Sequence, residues 1–288
     1  MEISYLIFSD LDGTLLDADT YDFTPAKEAI EFLKEHQFPL ILCSSKTKAE
    51  IEVYREKMGL KAYPFISENG GAIFIPKGSL NLNGFNYQIR SGYCVIELGM
   101  PSAYIQKCLY KIKQQLQTKL KCLSEMDLEE IIAFTNLPPA EAKLAQKRDY
   151  SEPIIFADIP EKLPVLKRVL QEYRLYLTKG GRFYTVMGGN DKGRAVEILK
   201  NIYQQTYPYK KFVSIGLGDS PNDLPLLEKV DIPVVVRRKD GSHLSIQQRN
   251  VYFTQFPGPK GWAEAIFKII KEEKNDGLFS KRGNCYLT

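Results

Sequence analysis

The run Leu6-Ile7-Phe8-Ser9-Asp10-Leu11-Asp12-Gly13-Thr14 opens on three apolar residues and passes directly into two aspartates. Leu6-Ile7-Phe8 has the continuous apolar character of a strand buried on both faces. The two aspartates alternate, so both can point the same way from the strand's end, one able to attack and the other to move protons. Gly13 lets the chain turn sharply after them. A bare Asp-x-Asp reads equally well as surface acid on a loop exit. Following a buried strand and closed by Gly-Thr, it instead places carboxylates at a strand's C-terminal end, where open α/β sheets bind their ligands.

Outward from this run, strands and helices alternate. Thr24 and Pro25 read as N-cap and first helical position, with Ala26, Ala29, Ile30 and Leu33 as the buried face. Leu40-Ile41-Leu42-Cys43 is a second buried strand. Thr47-Lys48-Ala49-Glu50 has capping-box form and opens a helix that Gly59 can close. Phe65-Ile66 and Ala72-Ile73-Phe74-Ile75 are strands around the turn signal Asn69-Gly70-Gly71. This is the grammar of a doubly wound parallel sheet.

The pattern changes near Gly78 to Gly84, where Gly, Asn and Ser accumulate. Val95 to Leu98 is strand-like, and Ile105, Leu109, Ile112 and Leu116 form a helical stripe. Short helices follow over 127–135 and 139–148, then a strand at Ile154-Ile155-Phe156 and a helix over 161–172. A strand at Leu175-Tyr176-Leu177 leads into a hairpin-like Lys179-Gly180-Gly181-Arg182. The α/β pattern resumes afterwards. Asp191 can cap a helix bearing Ala195, Ile198, Leu199 and Ile202, and Phe212 to Ile215 is a strand. Ser220-Pro221 opens a helix with Leu224, Leu226 and Leu227. Val234-Val235-Val236 is a strand, and Trp262, Ile266 and Ile269 face inward from a last helix. The expected organisation is an α/β core of 1–84 and 188–288, interrupted by an α+β insert of 85–187. The tail after about 274 is polar and reads as frayed.

Composition agrees with an ordinary globular protein. The chain has 288 residues, enough for about two domains, with 44% hydrophobic and 26% charged residues. Thirty-nine basic less thirty-five acidic residues leave +4 over the whole length. That is too weak for a nucleic-acid partner and compatible with a small anionic substrate. No apolar run reaches the length of a membrane span, and the first residues lack the form of a signal peptide, so a cytoplasmic protein is expected. The five cysteines form no Cys-x-x-Cys pair, and His36 and His243 stand apart. Disulfide, zinc-site and histidine-triad chemistry are poor fits, which leaves carboxylates and lysines. Oligomeric state has no signal here.

Three further clusters sit at expected strand ends. Ser44-Ser45-Lys46-Thr47 offers hydroxyls and amides at a helix start, suited to a phosphate as well as to capping. Lys192, in Gly188-Gly189-Asn190-Asp191-Lys192-Gly193, places a positive charge beside another helix start. Gly216-Leu217-Gly218-Asp219-Ser220-Pro221-Asn222-Asp223 groups hard oxygen donors that suit Mg²⁺, and it lacks the third glycine of a dinucleotide fingerprint.

These four clusters, in this order and each after a buried strand, resemble the haloacid dehalogenase-like (HAD) phosphohydrolase superfamily, with an insert like the cap of its Cof-like branch. Ser44 to Thr47, Ser67-Glu68-Asn69-Gly70-Gly71, Ile96 to Gly99, Glu141 to Glu152 and Lys179 to Phe183 look like the mannosyl-3-phosphoglycerate phosphatase family. Thr135-Asn136-Leu137 departs from the Thr-Gly-Leu expected there. The resemblance implies a Rossmann-like core and Asp10 as a nucleophile that forms an aspartyl-phosphate, with Asp12 as the acid and base. It implies Mg²⁺ on Asp10, the Asp12 carbonyl and Asp219, supported by Asp223. Ser44, Lys192 and Asn222 would hold the phosphoryl group. Lys46, Asn69, Gly181, Arg182, Arg148 and Glu152 are the substrate-binding candidates, the last two competing with a plain helix-end ion pair. A glucosyl-3-phosphoglycerate phosphatase, a broader Cof-like sugar phosphatase, a mutase and a non-catalytic phosphosugar-binding protein are the alternatives.

Overall fold

The computed structural model describes residues 2–135, 137–156, 161–179, 184–248 and 250–272. Its first part runs β1 (Glu2–Ser9), α1 (Lys27–Glu35), β2 (Leu40–Cys43), α2 (Lys48–Lys57), β3 (Phe65–Ser67), β4 (Ala72–Pro76), β5 (Gln88–Arg90) and β6 (Tyr93–Glu97). A second unit follows with α3 (Ser102–Leu116), β7 (Leu120–Cys122), α4 (Leu128–Thr135), α5 (Pro139–Ala145), β8 (Ser151–Phe156), α6 (Leu163–Glu172), β9 (Tyr176–Lys179) and β10 (Tyr184–Met187). The chain then returns through α7 (Lys192–Thr206), β11 (Lys210–Gly218), α8 (Leu224–Leu227), β12 (Ile232–Arg237), β13 (Tyr252–Pro257) and α9 (Gly258–Ile266).

Nine strands form one sheet in the order β13-β12-β11-β1-β2-β3-β4-β6-β5. From β13 to β3 all pairs are parallel, and β4, β6 and β5 add an antiparallel margin. The chain leaves β1 to build β2 on one side and returns to place β11 on the other. The end of β1 is therefore a topological switch point, where neighbouring loops part and leave a crevice. Both faces are covered, which explains the continuous apolar runs: Leu6 and Phe8 pack with α7 and α8, Tyr5 and Ile7 with α1 and α9. Trp262 of α9 is fully buried and donates its indole N–H to Ser9 Oγ at 2.9 Å. Ser9 Oγ in turn donates to the Asp10 carbonyl at 2.7 Å, so the core holds the backbone that carries Asp10.

The smaller antiparallel sheet has the order β7-β8-β10-β9. One face packs on α3 and α6 through Ile105, Leu109, Ile112, Ile154, Leu166 and Val186. Its other face looks toward the end of β1, together with the α4–α5 pair.

Two sequence expectations change, and one strand was not anticipated. The stretch assigned to the insert from residue 85 begins with β5 and β6, which pair with the large sheet. Periodicity marks Val95 to Leu98 as strand but cannot say which sheet it joins. Thr24 is not a helix N-cap: its N–H and hydroxyl both donate to Asp22 Oδ1, at 3.0 and 2.6 Å, so the chain enters α1 through a 3₁₀ turn. The edge strand β13, with Phe253 and Phe256 exposed, had no period-2 signal strong enough to single it out. The capping box at Thr47 and Glu50 and the Asp191 cap of α7 are present as expected. The hairpin-like residues 180–182, Asn136 and the tail lie outside the described residues.

Candidate active site

Asp10 stands one residue past β1, and its N–H donates to Leu217 O of β11 at 3.0 Å. Lys192, the first residue of α7, is fully buried and donates to Asp10 Oδ1 at 2.7 Å and to Asp223 Oδ1 at 2.6 Å. Burial alone would lower the Lys192 pKa, but the two carboxylates outweigh it and hold the ammonium protonated. Burial, then the charge of Asp223, pushes the Asp10 carboxyl above its ordinary range, and Lys192 pulls it back in part.

Asp219 follows β11 and accepts from Thr14 Oγ1 at 3.1 Å. Gly13 makes this possible: it sits at φ +78°, and a Cβ there would lie 2.9 Å from Asp219 Oδ2. Burial first and Asp223 second push Asp219 up to about 7. Asp223 Oδ2 accepts the N–H groups of Asp219 and Ser220 at 3.1 and 3.0 Å, so both of its oxygens have protein partners. Carboxylate oxygens of Asp10, Asp219 and Asp223 lie within 4.8 Å of one another. Crowded hard donors, of which Asp10 and Asp219 are pushed up by burial and by the charge of Asp223, are a fit for a divalent cation, which relieves the repulsion that Lys192 only partly answers.

Asp12 points elsewhere. Its Oδ2 accepts from Lys46 Nζ at 3.1 Å, while its Oδ1 is buried without a partner. Lys46 also lies 3.7 Å from Glu50 Oε1 and over the Tyr21 ring at 4.9 Å. Burial would lower its pKa, but Asp12 and Glu50 raise it, so the cation persists. Asn222 Nδ2 donates to Asn69 Oδ1 at 3.1 Å, joining the loop after β11 to the loop after β3.

These groups open onto a cavity of about 330 Å³. Asp10, Asp12, Asp219, Asn222 and Asn69 form its floor, Lys46 and Arg148 its cationic wall, and Leu123, Leu137 and Pro153 its apolar roof. Arg148 Nη1 donates to Ser45 O at 3.1 Å and to Ser151 Oγ at 2.9 Å, while its buried Nε has no partner. Lys192 and Asp223 lie behind the floor. Ser44 is also behind it, its Oγ accepting the Lys46 N–H at 3.1 Å, and Ser45 rather than Ser44 faces the cavity.

Glu152 is not brought to the site. Residues alternate along β8, so Pro153 lines the cavity while Glu152 and Ile154 turn to the opposite face, against α3. The buried Glu152 carboxylate accepts from Gln106 Nε2 at 2.8 Å and Ser124 N at 3.0 Å. Its expected role in binding substrate is withdrawn. Gly181 and Arg182 lie outside the described residues. Sequence reasoning missed Tyr21 and Glu50 as site residues: both line the cavity beside Lys46, but Glu50 carries only the signal of a helix-capping box and Tyr21 carries no motif.

The elevated Asp219 carboxyl gives a measurable pH dependence. Below about pH 7 the folded protein carries a proton there that a cation must displace, so cation affinity rises with pH and levels off above that value. The increase in melting temperature produced by Mg²⁺ is expected to be small at pH 6 and to grow to pH 8. A pH-independent increase in a thermal melt contradicts this.

A model of the haloacid dehalogenase-like hydrolases matches residues 7–248. A Persephonella marina protein named glucosyl-3-phosphoglycerate/mannosyl-3-phosphoglycerate phosphatase is 39% identical over 270 residues, covering 93% of this chain and 97% of its own length. A Methanococcoides burtonii protein of the same name is 40% identical over 274 residues, covering 95% of this chain and all of its own. Among solved structures, a Thermoplasma acidophilum protein superimposes with a TM-score of 0.66 at 18% identity, over 94% of this chain and 99% of that one. The fold is shared well beyond the range of close sequence likeness.

Proposed function

The chain belongs to the haloacid dehalogenase-like hydrolase family, and from that premise we propose that it is a Mg²⁺-dependent phosphatase of hexosyl-3-phosphoglycerates, releasing the sugar-glycerate and inorganic phosphate. The observation that carries the reading is Asp10, bridged to Lys192 at 2.7 Å and opening onto a cavity with two further cations. The relatives' shared name joins the mannosyl and glucosyl substrates, which sequence reasoning holds as alternatives.

In this mechanism an Asp10 oxygen attacks phosphorus as the bond to the glycerate oxygen breaks. Asp12 gives its proton to that leaving oxygen. Asp12 then takes a proton from water, the water oxygen attacks the phosphorus of the aspartyl-phosphate, and Asp10 is regenerated. Asn222 on the cavity floor stabilises the spreading phosphoryl charge, Lys192 acts through its bond to Asp10, and Ser44, set behind the floor, keeps its proposed phosphate contact from its sequence motif alone. Mg²⁺, when bound, neutralises the repulsion between Asp10 and a phosphate dianion, and Asp10, Asp219 and the Asp12 carbonyl would hold it, with Asp223 behind them.

Lys46 and Arg148 are the cations offered to the glycerate carboxylate and the sugar, and Asn69 borders the same space. Gly181 and Arg182 keep their proposed contact with the sugar from their sequence motif alone. The cap in this reading is the stretch from about Met100 to Met187, and its closure excludes water. No helix among the described residues is long and apolar enough to cross a membrane. A cytoplasmic location belongs to the same proposal.

The test is phosphate release with Mg²⁺ from both hexosyl-3-phosphoglycerates, from hexose 6-phosphates and from 3-phosphoglycerate. Both hexosyl compounds are expected to exceed the others in kcat/KM by about tenfold or more, since a site built around a buried cation discriminates strongly against ligands lacking its partner. A higher value for a hexose 6-phosphate would place the enzyme among broader sugar phosphatases. Turnover of none, with tight binding of the hexosyl compounds, would make it a binding protein.

A further inference from the structure

Glu68 takes no part in the chemistry above, yet its side chain is 1% exposed and fully engaged. Its Oε1 accepts the Asp149 N–H at 2.9 Å, and its Oε2 accepts the Tyr150 N–H at 3.0 Å and the Ser151 hydroxyl at 2.5 Å. Two of these donors belong to the segment that joins α5 to β8 and the third is the first residue of β8, so a carboxylate of the core grips the smaller unit beside Arg148, which lines the cavity. The Glu68 carbonyl accepts from Asn190 Nδ2 at 2.8 Å, and the same amide donates to Tyr150 O at 3.0 Å. The chain returning from the smaller unit is thus tied to the same residue.

The backbone here is unusual. Glu68, Asn69 and Gly70 have φ of +49°, +57° and +89°, three left-handed residues in succession, two of them with side chains that disfavour it. Gly70 packs so closely on the start of α7 that a Cβ would lie 2.3 Å from Asp191 O. This conformation sends adjacent side chains in different directions: Glu68 to the 149–151 segment, Asn69 to Asn222 on the catalytic floor. Arg148, one residue before the gripped amides, bonds both Ser45 O and Ser151 Oγ, and Ser151 Oγ is itself held by Glu68. The cation facing the cavity is therefore held in register with the floor through one loop.

We propose that Glu68 is a positioning residue for the reaction, latching the 149–151 segment to the core so that Arg148 meets the substrate while the neighbouring Asn69 sets Asn222. The latch acts on the part of the substrate beyond the phosphate, and it rests on the phosphatase reading only for that substrate's identity. In a Glu68→Gln variant one acceptor becomes an NH₂ group, which in either orientation opposes a backbone N–H, that of Asp149 or that of Tyr150.

Two readouts test this. In Glu68→Gln, hydrogen exchange at the Asp149 and Tyr150 amides is expected to quicken by about tenfold or more, with β1 and β11 unchanged. In the same variant, kcat/KM for mannosyl-3-phosphoglycerate is expected to fall about tenfold further than kcat/KM for p-nitrophenyl phosphate, mostly through KM. Ser151→Ala, which removes one hydroxyl, is expected to move both readouts the same way by less, and it decides the matter if Glu68→Gln does not fold. Equal losses on both substrates, faster exchange throughout the core, or unchanged exchange at 149–150 would each overturn the proposal. If the wild-type enzyme hydrolyses p-nitrophenyl phosphate but no hexosyl-3-phosphoglycerate, the substrate reading fails, and the exchange measurement still judges Glu68.

Discussion

Replacing Asp10 with asparagine is expected to lower turnover by about 10⁴-fold or more while leaving the fold intact. Asparagine keeps the size of the side chain and an oxygen that can accept from Lys192, but its amide oxygen is too weak a nucleophile to attack phosphorus. The stability of the variant is the informative control. Burial, Asp223 and Asp219 all act against a charge at position 10, and only Lys192 favours it. Lys192 retains Asp223 as a partner at 2.6 Å in the variant. The melting temperature should therefore hold or rise as activity disappears, which separates chemical from structural loss. Phosphate release and a thermal melt on the same preparation check both, and turnover near the wild-type rate contradicts the assignment.

Replacing Lys192 with methionine is expected to damage both activity and stability. The ammonium lies between Asp10 and Asp223 with no exposed side-chain surface. Methionine fills much of the space but leaves two carboxylates facing each other in a buried site. Removing one partner from a buried ion pair costs about 3–5 kcal/mol, because the remaining charge stays desolvated. Losing the fixed charge that holds the Asp10 carboxylate is expected to cost about 10²–10³-fold in kcat in addition. The stability deficit has a sign in pH. The Asp10 carboxyl is already raised above its ordinary range by burial and loses in this variant the ammonium that pulls it back, so on acidification the fold takes up a proton that the unfolded chain does not. The deficit should shrink from pH 8 to pH 6, and Mg²⁺ should reduce it at pH 8. Denaturant titrations at the two pH values, with and without Mg²⁺, measure this. A deficit under about 1 kcal/mol at both would mean that Lys192 is not the counter-charge of the buried pair.

The catalytic half of the molecule was legible because its chemistry sits at ends of strands that are buried on both faces. Leu6-Ile7-Phe8 and Leu40 to Cys43 are unbroken apolar runs, and the polar residues that follow them have nowhere to lie except the sheet's C-terminal edge. Residues whose position depends on pairing partners were not legible. Val95-Ile96-Glu97 reads as strand in either sheet, and only its register against β4 puts it in the larger one. Glu152 sits in a motif that suggests substrate contact, yet the alternation of β8 turns it toward Gln106 and away from the cavity. A one-residue difference in strand phase decides that, and polarity alone does not reveal it. Glu68 appears in the recognised Ser-Glu-Asn-Gly-Gly stretch, but its partners are 81 to 83 residues further on. The left-handed backbone that directs it can be guessed for Gly70 from the glycine, and not for Glu68.

The most direct test of phosphoryl transfer through Asp10 uses the Asp12→Asn variant with ³²P-labelled p-nitrophenyl phosphate and Mg²⁺, quenched in acid. p-Nitrophenolate leaves without needing a proton, so the first transfer proceeds, while the water attack that needs Asp12 as base is slowed. The expected result is near-stoichiometric label on the peptide containing Asp10, stable in acid and released by hydroxylamine, as an acyl phosphate is. Release of p-nitrophenol with no label on the protein, or with label on another residue, would contradict the account.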